Sequence, residues 1–145
     1  MKGMSIIVKK VARLISGLIF LYGIYIIVHG HLTPGGGFAG GALIAGSFIL
    51  LILAFGSDVL RLKMEETGST VTESLAVMAV LLIAASGLLW GTGIFFTNYL
   101  PEGNTGNLIS AGWIPVYNIF TGIEVAAAIV TIFLALVIYK EENPK

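Results

Sequence analysis

A single carboxylate stands inside a long apolar run of this 145-residue sequence: Glu124, which lies between Ile123 and Val125. A charged carboxylate near the middle of a bilayer is costly unless it is paired, hydrated or protonated. Burial disfavours the charged form of a carboxyl group and can prepare it for proton exchange. Glu124 is therefore a candidate proton or cation relay, or a partner for a basic group on another chain. The alternative is a protonated, hydrogen-bonded helix contact, because Pro115 marks a helix start only about two turns away.

Both histidines of the chain fall in one short stretch, as His29 and His31. Histidine changes its charge near neutral pH, so an imidazole at a membrane boundary suits a proton relay. His31 is therefore the second candidate for a proton or ion path. The alternative is a neutral imidazole that caps the turn by a hydrogen bond. His29 has a weaker claim, and Glu73 fits a helix cap better than a relay.

Several kinds of chemistry are excluded by composition. The sequence has no cysteine, which removes disulfides, thiol catalysis and iron–sulfur ligation by this chain. Two isolated histidines do not supply a full zinc site. Eight basic and eight acidic residues give a formal net charge of zero, so nothing indicates a nucleic-acid partner. We expect no metal, no cofactor and no catalytic residue in this chain.

Both histidines lie next to a glycine-rich stretch that joins two apolar runs. Thr33 is suited to an N-cap and Pro34 to the first helical position after it. Small residues then recur four apart, as in Gly36 and Gly40 or Gly37 and Gly41, which gives an apolar helix a smooth face for a close neighbour. The residues predicted to serve helix packing are Pro34, Gly35, Gly36, Gly37, Phe38, Gly40 and Gly41.

The same stretch carries a family resemblance. His31-Leu32-Thr33-Pro34-Gly35-Gly36-Gly37-Phe38, followed by Gly40-Gly41, resembles the signature of the B-type subunit of the multisubunit Mrp-type cation/proton antiporters. The same subunit type recurs in archaeal membrane-bound hydrogenases and sulfane-sulfur reductases. The resemblance implies a non-catalytic membrane subunit of a Na+/H+ antiporter module that helps to assemble the module and to form its ion or proton path. Its partners would be other antiporter membrane subunits and the lipid membrane.

The parent complex is a separate question. The segment Gly122-Ile123-Glu124-Val125 looks more like the archaeal respiratory versions than like the aspartate-containing pattern of the corresponding subunits in stand-alone antiporters. That likeness favours an ion-pumping respiratory complex with hydrogenase-like redox subunits. A stand-alone Mrp antiporter and a purely structural scaffold subunit are the alternatives. An autonomous transporter is the poorest interpretation, because the four helices show no obvious inverted repeat and few buried polar groups.

Composition and apolar runs predict an all-α integral membrane protein. Hydrophobic residues make up 57% of the chain, charged residues only 11%, and the mean hydropathy is +0.96, whereas soluble domains carry about 25% charged residues. Four runs are long enough to span a bilayer as helices, and we treat residues 1–145 as a single membrane domain. Their expected bounds are about 11–28, 36–55, 74–96 and 116–139.

Charge placement predicts the orientation. All eight lysines and arginines lie in the two terminal segments and the middle loop, and none lies in the glycine-rich hairpin or in the loop over residues 98–114. Basic residues favour the cytoplasmic side, so both termini are predicted to be cytoplasmic. The resemblance adds a prokaryotic plasma membrane as the location. The basic start lacks an A-x-A pattern, so we expect no cleaved signal peptide.

Two joints carry helix signals of their own. Thr70-Val71-Thr72-Glu73 has the spacing of a capping box and predicts that the third helix starts there. Pro115 predicts the start of the fourth helix. The mixed charges from Asp58 to Glu66 predict a solvated loop between the second and third helices.

Overall fold

Four long helices account for most of the chain. The computed structural model describes residues 4–56, 62–90 and 93–142, with side chains described for all of these except 62–66, 141 and 142. The helices are α1 (Ile6–Val28), α2 (Gly37–Phe55), α3 (Leu62–Trp90) and α4 (Ile114–Glu142). Each contains a segment long and apolar enough to cross a membrane. Within the described ranges no strand is present, so the predicted all-α class with four spanning helices is confirmed. The orientation of the termini stays a prediction.

The predicted cap of α2 is wrong, although the helix starts within one residue of its expected bound. The Thr33 hydroxyl does not cap this helix; it donates to the His29 carbonyl at 3.2 Å and closes the turn that follows α1. Gly35 and Gly36 then adopt positive φ values of 154° and 106°, which glycine tolerates because it has no Cβ. The helix begins only at Gly37, three residues after Pro34. The glycines thus extend the turn before they enter the helix.

The third helix also departs from prediction. It runs without interruption from Leu62, so Thr70 and Glu73 lie inside the helix and do not form a capping box at its start. Two hydroxyls bond within the helix instead, Thr72 to the Gly68 carbonyl at 2.8 Å and Ser74 to the Thr70 carbonyl at 2.9 Å. Of the predicted mixed-charge loop, residues 57–61 lie outside the described part and 62–66 belong to α3.

The end of α3 comes earlier than the apolar run suggests. The described helix reaches Trp90, and residues 93–96 are not helical. Phe96 has a positive φ of 63°, and its N–H donates to the Ala84 carbonyl at 3.1 Å, so the chain folds back along the helix it has just left. Apolar residues of this loop therefore cover α3 without extending it. Pro115 lies in the first turn of α4, as predicted.

The helices pack around α2 and α4. Helix α2 contacts α1 on one side and α4 on the other, and α3 packs against α4. One buried cluster, formed by Ile52 of α2 with Leu134 and Val137 of α4, joins the second and fourth helices. Many large apolar side chains elsewhere are exposed. This surface is expected where lipid or neighbouring membrane helices supply the missing contacts.

Candidate functional site

Two glycines of α2 bring its backbone into direct contact with the backbone of α4. A Cβ added at Gly37 would lie 2.5 Å from the carbonyl oxygen of Asn118, and one at Gly41 would lie 2.5 Å from that of Gly122. Real Cβ atoms do not come so close to a backbone oxygen, so only glycine fits at these two positions. Because Gly122 lies two residues before Glu124, the Gly37–Gly41 face of α2 fixes the part of α4 that bears the candidate carboxylate.

Gly40, which lies between these two glycines in the sequence, allows the close approach of α1 instead. A Cβ at Gly40 would lie 2.6 Å from the carbonyl oxygen of Gly23 on α1. Adjacent positions of one motif thus hold α1 and α4 to the two sides of α2. Phe38 is 69% exposed, and Pro34 and Gly35 are exposed as well, so these three predicted packing residues present their surface away from the chain's own helices.

The start of α2 receives its cap from another helix. The Asn118 side chain of α4 accepts a hydrogen bond from the Gly37 N–H at 3.4 Å through Oδ1. Gly36, at the N-cap position, has no side chain to do this. The Asn118 Nδ2 group is buried and has no partner among the described residues. Sequence reasoning missed Asn118, although a polar residue just inside an apolar span was the signal that could have found it.

His31 lies between the hairpin and the long loop that precedes α4. Its Nε2 is 3.4 Å from the carbonyl oxygen of Asn107, and its Nδ1 is buried with no partner in the described ranges. His29 instead stays with α1, where Nδ1 lies 3.0 Å from the Tyr25 carbonyl and the two rings stack at 4.0 Å. His31 therefore bridges two segments, whereas His29 ends a helix.

Glu124 is half-buried on α4, ten residues and so about 15 Å into the helix. No described residue forms a hydrogen bond or an ion pair with its carboxylate. Residues seven apart share a helix face, which places Tyr117 and Thr131 in line with Glu124. The Thr131 hydroxyl is buried and likewise unpartnered within the described part of the chain. This face of α4 therefore carries polar groups that the described part of the chain leaves unsatisfied.

A second carboxylate lies at a similar depth. The Ser69 hydroxyl of α3 donates to the Ala127 carbonyl of α4 at 2.9 Å, which fixes the register of the two antiparallel helices. Glu73 is one turn beyond Ser69, and Glu124 is one turn before Ala127. Glu73 is half-buried inside the spanning segment Thr67–Trp90. The candidate spanning segment of α3 thus contains a carboxylate that its apolar run alone does not include, because α3 starts earlier than that run.

In the described ranges, no group of three histidine or acidic side chains is placed to hold a metal ion. The arrangement suits proton or monovalent-cation handling: isolated carboxylates, one bridging histidine and unsatisfied polar atoms between closely packed helices.

Comparisons with known proteins agree with the motif. Residues 7–131 match the family described as a domain related to the MnhB subunit of Na+/H+ antiporter. An uncharacterised protein of Methanocaldococcus jannaschii is 38% identical over 131 residues, which cover 86% of this chain and 49% of that protein. The B-type subunit of a Na+/H+ antiporter of Bacillus subtilis is 32% identical over 85 residues, covering 59% of this chain and 51% of the relative.

A solved structure matches the fold as well. It is a chain of the membrane-bound sulfane sulfur reductase, an archaeal respiratory membrane complex, with a TM-score of 0.74 and 35% sequence identity. The match covers 91% of this chain and 57% of the other, so this chain spans about half the length of the relatives it matches. With four apolar helices of spanning length, the chain is a multi-pass membrane protein that belongs to the family of domains related to the MnhB subunit of Na+/H+ antiporters.

Proposed function

We propose that this protein is a membrane subunit of an Mrp-type cation/proton antiporter module and that it helps to form the ion or proton path of that module. The observation that carries the proposal is the half-buried, unpartnered Glu124 on the face of α4 that also bears Thr131. A carboxylate is costly at such a position unless something outside the chain solvates, pairs or protonates it. Water or a cation in a path shared with a neighbouring subunit meets that need.

His31 is assigned to the end of this path at the glycine-rich hairpin. Its free Nδ1 and its contact with Asn107 put a titratable ring where the hairpin meets the long loop. Histidine changes charge in the physiological range, so it can exchange protons with water at a membrane surface. We assign no catalytic step to the chain, and redox chemistry would belong to other subunits.

An ion-pumping respiratory complex is the parent assembly we favour. Support comes from the match over 91% of this chain to a subunit of an archaeal respiratory membrane complex. The stand-alone antiporter is the second candidate. Its support is the 32% sequence identity to a Bacillus subtilis antiporter subunit, in an alignment that covers 59% of this chain. In both cases the partners are other antiporter membrane subunits, and the exposed apolar faces of the helices are available to them.

Purification of the tagged chain from its native membrane separates these assemblies. We expect antiporter membrane subunits to copurify in either case, and hydrogenase-like redox subunits only in the respiratory complex. Deletion of the chain should abolish sodium-dependent proton movement in membrane vesicles. A chain that purifies alone, and whose deletion leaves that movement intact, would contradict the proposal.

A further inference from the structure

Two cations converge on one aromatic ring where α1 begins and α2 ends. The Lys9 ammonium lies 5.7 Å and the Arg13 guanidinium 5.1 Å from the centre of the Phe55 ring. Both distances are within the range of cation–π contacts. No described carboxylate pairs with either cation, and Arg13 is exposed. These side chains therefore place two positive charges at one ring, and no described carboxylate uses their hydrogen-bond donors.

Two more aromatic rings lie further along the same two helices, toward their middle. Phe20 is seven residues from Arg13 on α1, and Phe48 is seven residues from Phe55 on α2, so each pair shares one helix face. The rings of Phe20 and Phe48 meet edge to face at 6.0 Å. Because the two helices touch at both levels, the cations and the phenylalanine pair lie along the same side of the α1–α2 pair.

On that side an open groove of about 440 Å³ separates the α1–α2 pair from α3, with α4 as its floor. Its walls include Phe20, Ile44 and Phe48. The two hydroxyls that line it are already used, Ser69 on the Ala127 carbonyl and Thr72 on the Gly68 carbonyl. The groove therefore offers a ligand apolar contact and little hydrogen bonding.

We propose that this combination is a binding site for an anionic phospholipid, with its phosphate at Lys9 and Arg13 and one acyl chain in the groove. From Phe55 to Ile44 is eleven residues of helix, or about 16 Å, a length that suits one acyl chain. A phosphate supplies charge-assisted acceptors that no described residue offers to the two cations. The lipid would fill the gap between α2 and α3. This inference is independent of ion transport.

The test is a lipid titration of the purified full-length chain, followed by native mass spectrometry with phosphatidylglycerol or phosphatidylcholine. We expect tighter binding of phosphatidylglycerol, and a loss of roughly 10- to 30-fold in its affinity when Lys9→Gln and Arg13→Gln are combined. Lys140→Gln is the matched control, an exposed cation at the C-terminal end of α4 that has no contact with the Phe55 ring, and should change little. Equal affinity for both lipids, or an equal loss in the control, would overturn the proposal.

Two further experiments distinguish a bound lipid from other occupants of the groove. Thr72→Phe fills the groove from an exposed wall position and should weaken phosphatidylglycerol binding while both cations remain. If inorganic phosphate displaces the lipid fully and Thr72→Phe has no effect, the site binds only a free anion and the lipid proposal fails. In the assembled complex, a photocrosslinker at position 72 should label lipid. A crosslink to a protein helix would overturn the proposal.

Discussion

Single glycines decide how closely α2 approaches its two neighbours. Gly37 and Gly41 admit the backbone of α4, and Gly40 admits the backbone of α1. Each glycine costs helix propensity of about 1 kcal/mol relative to alanine. Close helix contact offsets that cost in a membrane, where packing and not water exclusion drives helices together. Substitutions on these faces should therefore act through packing before they act on transport.

Gly41→Leu is expected to lower the abundance of folded, assembled protein. Its side chain would collide with the Gly122 carbonyl and with Val125, and overpacking of this kind costs roughly 1–3 kcal/mol or more. Gly46→Leu on the same helix is the control, because a Cβ there meets nothing within 4 Å. Thermal unfolding of the detergent-purified chain measures the difference. A Gly41→Leu protein as stable as Gly46→Leu would refute the packing role.

The hydrogen bond between the Gly37 N–H and the Asn118 side chain can be tested by substitution. Asn118→Ala removes the acceptor of the Gly37 N–H, and loss of such a cap costs roughly 0.5–2 kcal/mol. We expect faster hydrogen exchange at the Gly37 amide and a lower unfolding temperature. Asn118→Asp keeps the acceptor and should retain most of the protection. Unchanged exchange in Asn118→Ala would show that the bond contributes nothing to α2.

The sequence identified some of these residues and missed others for physical reasons. Glu124 stands out because a carboxylate in an apolar run has few explanations. Glu73 does not, because the first turns of α3 are polar enough to resemble a loop and a cap. Asn118 caps a helix 81 residues earlier in the chain, and no local pattern records a contact between such distant segments.

At the scale of elements, apolar runs predict which segments are helices better than they predict where the helices end. The apolar run of α1 predicts a start near residue 11, yet the helix starts at Ile6, where Ser5 accepts a hydrogen bond from the Val8 N–H. In α2 the positive φ values of Gly35 and Gly36 outweigh the local preferences of Thr33 and Pro34. Caps and turns depend on conformations that residue type alone does not settle.

The orientation of the four helices in the membrane can be tested directly. The count of basic residues puts both termini in the cytoplasm and the long loop before α4 outside. A cysteine introduced at the exposed Asn104 should react with an impermeant thiol reagent from outside the cell, and one at the exposed Lys140 only from inside. The reverse pattern of labelling would contradict the assigned orientation.

At the scale of the whole molecule, we propose that the chain is one part of a larger membrane assembly. It spans about half the length of its relatives, and many of its large apolar side chains are exposed. Glu124 is unpartnered among the described residues, and we propose that water, an ion or a neighbouring subunit solvates or pairs it. On that proposal its role is tested in the assembled complex.

The most direct test is ion and proton uptake by vesicles that contain the assembled complex, normalised to the amount of complex. Glu124→Gln keeps the size and most hydrogen bonds of the side chain but cannot ionise. We predict normal assembly with strongly reduced uptake, and partial uptake in Glu124→Asp, which keeps the carboxylate one methylene shorter. A structural ion pair would instead lower assembly in Glu124→Gln, because a buried cation would lose its partner. Full uptake by Glu124→Gln at normal abundance would contradict the account and leave the chain a scaffold.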